Sequence, residues 1–227
     1  MAAERRRPVR TGTFSIAFVA MMATMTLQGA TRKVDFSGDA AGKPPKGFEF
    51  GHTAKTGAPG EWVVQAEGQN KYLAQVNADS TRTRFPVAVL SDLSAADVDL
   101  SVRFKPVSGR VDQAAGLVWR FQNEDNYYIV RTNALENNVV LYKVEKGKRT
   151  DLPLKGEGRT YGKKTPVPSG QWSTLRVVAE GSRFDVYLNG TKLYEVEDTT
   201  FTQPGKVGVW TKADSVTQFD DLTVVTK

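Results

Sequence analysis

Apolar and polar side chains alternate along several segments of the chain, and this pattern predicts β-strands. From Val98 to Phe104, apolar residues occupy every second position, and Asp99, Ser101 and Arg103 lie between them. Successive side chains of a strand point to opposite faces, so this segment predicts a strand with one buried and one exposed face.

A hairpin is predicted in the middle of the chain. Two alternating segments, Leu117–Gln122 and Tyr127–Thr132, flank Asn123–Asn126, whose residues favour turns. A further strand is predicted at Val139–Val144, directly after this hairpin. We therefore expect neighbouring antiparallel strands in this region.

A second, tighter hairpin is predicted near the C-terminus. The segments Phe184–Leu188 and Thr191–Val196 flank Asn189-Gly190, a dipeptide that tolerates the positive φ angles of a type I′ turn. Additional strands are predicted on both sides of this hairpin, at Leu175–Ala179, Val207–Trp210 and Phe219–Val225.

The strand pattern also predicts the fold class. No segment of helical length shows an apolar repeat near 3.6 residues, and no linker rich in Pro or Ser divides the chain. About a dozen short strands separated by turns predict an all-β sandwich or barrel in a single domain. Gly38–Pro45 is expected to be a loop, and the long irregular segment Pro153–Gly170 is the first candidate for a functional loop.

The first thirty residues have the composition of an export signal. Four arginines, Arg5, Arg6, Arg7 and Arg10, precede Phe14–Leu27, an uncharged and mostly apolar segment. This segment is shorter than the roughly 20 apolar residues that span a membrane. We therefore expect residues 1–30 to be a cleaved signal peptide and residues 31–227 to be a periplasmic or secreted domain. An uncleaved membrane anchor is the alternative.

The charge and the absence of cysteine exclude some partners and some kinds of chemistry. Removal of residues 1–30 takes away four of 31 basic side chains and one of 25 acidic ones, so the formal charge falls from +6 to +3. The basic composition is then no argument for a nucleic-acid partner, which needs clustered cations. We expect no nucleic-acid partner and no stable membrane insertion after cleavage. The chain has no cysteine, which excludes disulfides and a cysteine nucleophile.

The order of several segments resembles a known domain family. These segments are Gly116-Leu-Val-Trp-Arg-Phe, Asn126-Tyr-Tyr-Ile-Val-Arg, Val186-Tyr-Leu-Asn-Gly, Gly205-Lys-Val-Gly-Val-Trp and Phe219-Asp-Asp-Leu. From about Val34 to the C-terminus, the chain resembles the concanavalin A-like domains of the 3-keto-disaccharide hydrolase type, often labelled family 16 glycoside hydrolase. The resemblance implies a jelly-roll sandwich of two antiparallel sheets that binds glycan on a concave sheet face.

Two other functions remain open. The resemblance implies, as one alternative, a glycosidase or lyase acting on 3-keto-glycosides or disaccharides. A laminin G-like structural or protein-binding module is the other, because such modules share the Asn-Gly hairpin and closing strand for reasons of backbone geometry. The oligomeric state is not predicted by any of these patterns.

The sequence does not decide whether the chain is an enzyme. True family 16 glucanases carry a Glu-x-Asp-x-x-Glu strand, in which alternation places all three acids on one face, and this chain lacks it. Glu195 and Glu197 share a strand face without a third acid, so we expect them to be solvated. Proton abstraction next to a keto group needs a base, for which Glu136 and the only histidine, His52, are the candidates.

A sugar-binding surface is predicted around the middle hairpin. Sugar hydroxyls suit Arg, Asn and Glu side chains beside an aromatic ring on which the sugar stacks. Arg120 and Tyr128 fall on the polar phase of their strands, opposite to Trp119, so we expect them on an exposed face. The alternative is that Trp119 and Trp210 are core and the arginines pair with acids. The predicted binding residues are Arg120, Tyr128, Arg131, Asn133, Glu136, Asn138, Trp210, Lys212 and Asp214.

Two further hypotheses concern a structural calcium ion and an anionic polysaccharide. No cofactor is expected, but Asp35, Asp220 and Asp221 offer the oxygen ligands that a structural calcium ion prefers. Adjacent acids point to opposite faces of a regular strand, which weakens this hypothesis. The basic segment Lys143–Lys164, with Tyr161 and the preceding Tyr142, is a candidate contact for an anionic polysaccharide.

Overall fold

The computed structural model describes residue 1, residue 3 and residues 29–227, so most of the predicted signal peptide lies outside the described residues. The described part contains strands and no helix, which confirms the all-β class. It accordingly contains no apolar helix of membrane-spanning length. The strands are β1 (Thr31–Val34), β2 (Phe48–Thr53), β3 (Trp62–Glu67), β4 (Asn70–Gln75), β5 (Phe85–Leu90), β6 (Val98–Ser108), β7 (Ala114–Asn123), β8 (Asn126–Asn133), β9 (Asn138–Glu145), β10 (Lys148–Asp151), β11 (Lys163–Lys164), β12 (Ser173–Glu180), β13 (Arg183–Leu188), β14 (Thr191–Glu197), β15 (Lys206–Trp210) and β16 (Val216–Thr226).

The strands form two antiparallel sheets of eight strands each, which confirms the predicted single-domain sandwich. The first sheet has the order β14-β13-β12-β6-β16-β4-β3, and β1 also pairs with β16. The second sheet has the order β10-β9-β8-β7-β15-β5-β2, and β11 also pairs with β9. The two inner faces pack on each other and bury the main hydrophobic core.

The inter-sheet core follows from the alternating sequence. Leu100 and Phe104 of β6 are fully buried in it, whereas Asp99 and Arg103, one position out of phase, are only partly buried. Removing a side chain of this size from water contributes roughly 1.5–3 kcal/mol to stability. The period-2 pattern therefore selects which face of the first sheet packs against the second.

The predicted turn at Asn189-Gly190 is confirmed. Leu188 pairs with Thr191, so only two residues connect β13 and β14. Asn189 has a φ of 49° and Gly190 a φ of 81°. Both angles are positive, as a type I′ turn requires, and glycine adopts such a conformation without a steric penalty.

The second sheet is strongly curled. The guanidinium of Arg149 in β10 lies 4.7 Å from the ring of Phe85 in β5. Five strand spacings separate these strands along the sheet, about 24 Å if the sheet were flat. Similarly, the hydroxyls of Tyr127 in β8 and Thr53 in β2 are 2.7 Å apart across four spacings. The face directed away from the first sheet is therefore concave.

The concave face encloses a second hydrophobic cluster. Its central strand β7 has a glycine, Gly116, whose Cβ would lie 2.7 Å from Ile129 and 3.4 Å from the ring of Trp210. Only a residue without a side chain lets these larger groups lie over the strand. The buried members of this concave-face cluster are Val87, Val89, Ala114, Val118, Tyr127, Ile129, Val140, Tyr142, Val144 and Trp210.

Candidate functional site

Arg120 does not lie on the face that the sequence predicted. It has a φ of 47°, and the pairing of β7 with β15 shifts by one residue at this point. This β-bulge breaks the alternation, so Arg120 and its neighbour Trp119 both point toward the first sheet. The guanidinium of Arg120 lies 5.5 Å from the ring of Phe184 in that sheet. The predicted exposed position of Arg120 is therefore wrong.

Arg120 instead connects three loops at one end of the sandwich. Its side chain is only 1% exposed. It donates hydrogen bonds to the carbonyl oxygens of Ala96 at 2.7 Å, Phe201 at 2.7 Å and Gly181 at 2.6 Å. The carboxylate of Asp97 accepts a fourth bond at 3.1 Å. Backbone oxygens of fixed loops are structural partners, and with Asp97 they take four hydrogen bonds from this arginine.

Tyr128 also belongs to the inter-sheet core. Its ring stacks on Trp119 with the ring centroids 5.4 Å apart. Its hydroxyl donates to Asp198 at 2.5 Å and accepts the N–H of Phe201 at 3.0 Å. Burial raises the pKa of Tyr128, and its hydrogen bond to Asp198 adds to that shift. The predicted exposed position of Tyr128 is wrong, because Tyr128 lies directly opposite Trp119 in the pairing of β7 with β8, which places both rings on the inner face.

Arg131, Glu136 and Asn138 do converge, and they lie on the concave face. Nη2 of Arg131 donates to Glu136 at 3.0 Å, and its Nη1 donates to Asn138 at 3.2 Å. The amide of Asn138 donates to the same carboxylate oxygen of Glu136 at 3.1 Å. Strands β8 and β9 and the tight connection between them bring the three side chains together.

Two tyrosines complete this group. The hydroxyl of Tyr142 in β9 lies 2.9 Å from Nη2 of Arg131. The hydroxyl of Tyr161 lies 2.9 Å from that of Tyr142 and 3.3 Å from Arg131. Tyr161 belongs to the long Pro153–Gly170 segment, and we name Arg131, Glu136, Asn138, Tyr142 and Tyr161 together the tyrosine–arginine site.

Tyr161 is the exposed member of the tyrosine–arginine site. The residue is 46% exposed, although its hydroxyl forms a hydrogen bond with that of Tyr142. Its backbone has a φ of 56°, a left-handed conformation that non-glycine residues rarely adopt. Such conformations persist only where surrounding contacts hold them, and they concentrate at functional sites. The structure therefore presents an aromatic ring at a fixed position on the surface.

The charges of the tyrosine–arginine site are well defined at neutral pH. Burial acts to raise the pKa of Glu136, but the charge of Arg131 and the bonds from Arg131 and Asn138 hold it below its usual value. Burial raises the pKa of Tyr142, so its hydroxyl stays protonated. Nε of Arg131 is buried without a hydrogen-bond partner among the described residues. The site thus combines a carboxylate acceptor, a fixed cation and two hydroxyls.

Asn133 and Lys212 lie beside the tyrosine–arginine site and share one carboxylate. The amide of Asn133 donates to Asp112 at 2.7 Å, and the ammonium of Lys212 forms an ion pair with the other oxygen of Asp112. The charge of Lys212 also contributes to the low pKa of Glu136. Asp112, which the sequence analysis missed, therefore fixes two of the predicted residues.

Asp214 and Trp210 have structural partners. Asp214 accepts the backbone N–H groups of Arg110, Val111 and Asp112 at 2.7–3.1 Å, which fixes the loop before β7. Trp210 is fully buried in the concave-face cluster, and its Nε1 donates to the hydroxyl of Tyr127 at 3.2 Å. Neither side chain reaches the surface of the tyrosine–arginine site.

Arg149, also missed in the sequence, closes the concave face. Its guanidinium lies 4.5 Å from the ring of Tyr142, 4.7 Å from Phe85 and 5.6 Å from Trp210. Cations over aromatic faces are attracted by the ring electrons, so this arrangement holds the curled edges of the sheet together. The only sequence signal for Arg149 was its position in the basic segment Lys143–Lys164.

His52 and Glu136, the two candidate bases, are not neighbours in the fold. His52 lies on β2, and its backbone N–H donates to Glu124 at 3.1 Å. Its Nε2 is buried without a hydrogen-bond partner in the described part of the chain. Glu136 lies in the tyrosine–arginine site, which His52 does not enter.

The acidic candidates for calcium are engaged with other groups. Asp35 accepts bonds from Ser37, and Asp221 pairs with Lys33 at 2.8 Å. Asp220 lies 3.6 Å from Arg103, and burial raises the pKa of its carboxyl. Within residues 29–227, no group of three or more acidic or histidine side chains is placed to hold a metal ion. The calcium hypothesis therefore gains no support.

The basic segment Lys143–Lys164 is not a continuous unpaired positive surface. Four of its eight cations have acidic partners close by, so the local charge is partly neutralised. The same contacts place Glu195 and Glu197 in a network of surface ion pairs. The pairs are Lys155 with Glu195 and Glu197, Arg159 with Asp151, Lys163 with Glu157, and Lys143 with Glu145 and Asp198.

Comparison with known proteins identifies the family and the fold. The family described as 3-keto-alpha-glucoside-1,2-lyase-like domain matches residues 48–225. A search of curated proteins found no match. Among solved structures, the carbohydrate binding module CBM66 from Bacillus subtilis is similar with a TM-score of 0.59 and 21% identity, over 79% of this chain and 96% of that one.

Two further solved structures share the architecture. Domain 4 of AbnA, a GH43 extracellular arabinanase from Geobacillus stearothermophilus in complex with arabinotriose, has a TM-score of 0.54 and 14% identity, over 88% of this chain and 93% of that one. A protein with a galectin-like fold from Bacillus subtilis has a TM-score of 0.50 and 11% identity, over 79% and 91%. At these identities the likeness establishes a shared concanavalin A-like fold.

Proposed function

The chain belongs to the family of 3-keto-alpha-glucoside-1,2-lyase-like domains, and from this premise we propose that it binds carbohydrate at the tyrosine–arginine site. Two similar structures are described as a carbohydrate binding module and as an arabinanase domain in complex with arabinotriose. Both descriptions support a carbohydrate ligand for a domain of this fold. The position of the site in this chain is argued from its own residues.

The half-exposed ring of Tyr161 carries the proposal. A sugar ring stacks its C–H groups on an aromatic face, and the stacking is strong only where the ring does not have to be immobilised on binding. The hydroxyl of Tyr161 is held by Tyr142 at 2.9 Å, while 46% of the side chain remains exposed. The ring is therefore pre-oriented for a ligand.

Polar groups for the sugar hydroxyls surround this ring. The carboxylate of Glu136 is 37% exposed and accepts hydrogen bonds, and Lys212 nearby donates them. Arg131 is fully buried and acts as a positioning residue, because its guanidinium holds Glu136, Asn138 and both tyrosines. Charged hydrogen-bond partners of this kind give strength and orientation to a neutral ligand.

The electrostatics favour binding over proton abstraction. A general base works best when its pKa lies near the working pH. Arg131 and Asn138 hold the pKa of Glu136 below its usual value, although partial burial acts in the opposite direction. A carboxylate of low pKa accepts hydrogen bonds well and abstracts protons poorly, so a lyase reaction based on Glu136 is the less favoured alternative.

Calorimetry with a panel of oligosaccharides that includes arabinotriose tests the proposal. We expect Tyr161→Ala to weaken binding by about 1–2 kcal/mol, because it removes the stacking ring. The matched control is Tyr187→Ala, which removes a partly exposed tyrosine from the outer face of the first sheet. The proposal fails if the wild type binds no sugar of the panel, or if both variants bind equally well.

We also propose that residues 1–30 are a cleaved export signal and that the domain acts in the periplasm or outside the cell. The basic and apolar segments before Gly29 support this, as does the start of β1 at Thr31. The backbone N–H of Thr226 donates to the carbonyl of Ala30 at 3.0 Å and its hydroxyl donates to the same oxygen at 3.4 Å, so a cut after Ala30 affects only this terminal contact and keeps the four pairs of β1. Mass spectrometry of the protein from the cell envelope should find Thr31 near its N-terminus. Recovery of intact residues 1–30 there would exclude cleavage.

A further inference from the structure

A second concavity lies at the other end of the concave face. It has a volume of about 450 Å³ and lies between β2, β5, β15 and the end of β7, beside the Asn123–Asn126 turn. We name it the Glu124 pocket. On β8, Tyr127 packs against the pocket residue Phe121, and Arg131 lies four residues further on, about 13 Å away at strand spacing. The Glu124 pocket is therefore separate from the tyrosine–arginine site.

The floor of the Glu124 pocket is apolar and is kept open by a glycine. The ring of Phe121 is partly buried against the concave-face cluster and lines the pocket. At Gly51, an added Cβ would lie 2.8 Å from Val87 and 3.1 Å from the side chain of Glu124. A larger residue would press on Val87 and Glu124 and take up space at the floor, so the glycine keeps the floor open.

The acidic wall of the pocket is fixed in advance. One carboxylate oxygen of Glu124 accepts the backbone N–H of His52 at 3.1 Å, and the other lies 3.6 Å from the ammonium of Lys55. The turn that carries Glu124 is held by Asn123, whose side-chain oxygen accepts the N–H of Asp125 at 3.0 Å. A polar group held by its own neighbours loses little freedom when a ligand binds.

The opposite wall has the same mixture of charges. Lys206 in β15 forms an ion pair with Glu49 in β2, and both side chains line the pocket. The rim thus has acceptors and donors on both sides. The acceptors are Glu49, Glu124 and Asp125, and the donors are Lys55 and Lys206. An anion would meet the carboxylates and a cation would meet the ammonium groups. A neutral molecule whose hydroxyl groups both donate and accept is matched at every position.

We propose that the Glu124 pocket is a second carbohydrate site, which takes a single uncharged sugar unit independently of the tyrosine–arginine site. Its volume lies in the range of small-molecule sites, its floor offers an aromatic ring to the C–H face of a sugar, and its rim serves the hydroxyl groups. The domain then holds carbohydrate at both ends of one curled sheet. Two linked sites bind a polymeric glycan more firmly than either alone.

Nuclear magnetic resonance titration tests this site separately from the first. The ¹⁵N-labelled protein is titrated with D-glucose, D-galactose, L-arabinose and D-fructose, and the amide signals of Gly51 and Asn123 are compared with those of Tyr161 and Gly162. We expect two sets of shifts. In Glu124→Gln, the sugar affinity obtained from the shifts at Gly51 and Asn123 should fall about tenfold, because a hydrogen bond to a charged group has this strength.

Two further variants keep the test decisive. Lys206→Met removes the donor of the opposite wall at similar volume and should weaken the same set of shifts. Glu180→Gln is the control, because this exposed glutamate also pairs with a lysine, Lys227, but lies outside both sites. Near-identical spectra of the unliganded proteins show that each variant is folded.

Each outcome separates the two proposals. If Tyr161→Ala abolishes all shifts and Glu124→Gln changes none, the pocket proposal is overturned and the proposed function stands. If Glu124→Gln removes the pocket shifts and the shifts at Tyr161 never occur, the pocket stands and the tyrosine–arginine site falls. If no sugar shifts any signal, the pocket proposal is overturned, and the calorimetry with oligosaccharides alone decides the proposed function.

Discussion

Two buried arginines of the second sheet, Arg120 and Arg131, have opposite surroundings. Arg120 donates to three backbone carbonyls and one carboxylate, and these partners belong to loops of the sandwich end. Arg131 is surrounded by side chains, two of which, Glu136 and Tyr161, extend to solvent. The first arginine fixes the chain, and the second organises a surface. Burial alone does not distinguish the two roles, but the chemistry of the partners does.

The largest expected effect is the loss of stability in Arg120→Leu. This variant leaves three backbone carbonyls without the donor that holds them, together with the carboxylate of Asp97. A hydrogen bond to a charged group contributes about 1.5–3 kcal/mol, so the loss of these bonds should cost at least about 3 kcal/mol. Urea denaturation measures the loss, and Arg82→Leu, at an exposed arginine, should change stability by less than about 0.5 kcal/mol. If both variants are equally stable, Arg120 does not stabilise the fold in the way that its hydrogen bonds indicate.

Alkaline pH should expose the contribution of the buried tyrosines on the concave face. Burial raises the pKa of Tyr127 from its ordinary 10.0 to about 12. The folded-state pKa is above the unfolded one, so the stabilisation is complete below about pH 10 and is lost as the pH rises through 12. The shift corresponds to roughly 2–3 kcal/mol.

Urea midpoints between pH 9 and pH 12 measure this loss. Tyr127→Phe removes the titrating group and should flatten the decline relative to the wild type. A decline of equal steepness in both proteins would show that ionisation of Tyr127 does not govern alkaline stability.

The third prediction concerns Arg131→Ala. The partners of Arg131 are side chains, and those of Glu136 and Tyr161 can turn to solvent once the guanidinium is gone, whereas Arg120 holds the backbone of three loops. The loss of stability should therefore be smaller than in Arg120→Leu. Sugar affinity should fall by about 1.5–3 kcal/mol, because Tyr161 and Glu136 lose the group that positions them. Calorimetry and urea denaturation of the same preparation separate the two effects. Equal destabilisation by both arginine variants would remove the distinction between them.

The smallest effect is expected for a pair of hydroxyl deletions. Tyr128→Phe leaves Asp198 and the N–H of Phe201 without their partner, and it should cost about 1 kcal/mol of stability without changing sugar affinity. Tyr161→Phe should leave stability nearly unchanged and weaken sugar binding a few-fold, since its ring is released from Tyr142 and Arg131. The reverse pattern in the two assays would contradict the assignment of the two faces.

Strands with one exposed face could be predicted from the sequence. β6 alternates regularly, and the Asn189-Gly190 turn sets the pairing of β13 with β14 as far as the bulge at Val186 and Tyr187. β5 was missed because four of its central residues are buried on both faces, so its sequence does not alternate. The order in which the strands pair depends on contacts between residues that are distant in the sequence. The alternation of polar and apolar residues does not predict this order.

The sequence predicted only the part of the candidate site whose residues lie close together along the chain. Arg131, Glu136 and Asn138 lie within eight residues of one another, and one tight connection brings them together. Arg120 was misplaced because a β-bulge changes the phase without changing the composition of a strand. Tyr161 and Arg149 join the concave face only because the second sheet curls, which no local pattern predicts.

The pairing of β1 with β16 determines how this domain can be built into larger proteins. Thr31 lies opposite Val225, so the polypeptide enters and leaves the fold at neighbouring positions on one sheet. A connection of a few residues would close the chain into a ring, and new ends opened at the exposed Asn189-Gly190 turn would leave both sheets intact. Such a unit can be inserted into a loop of a host protein without separating the host's own ends.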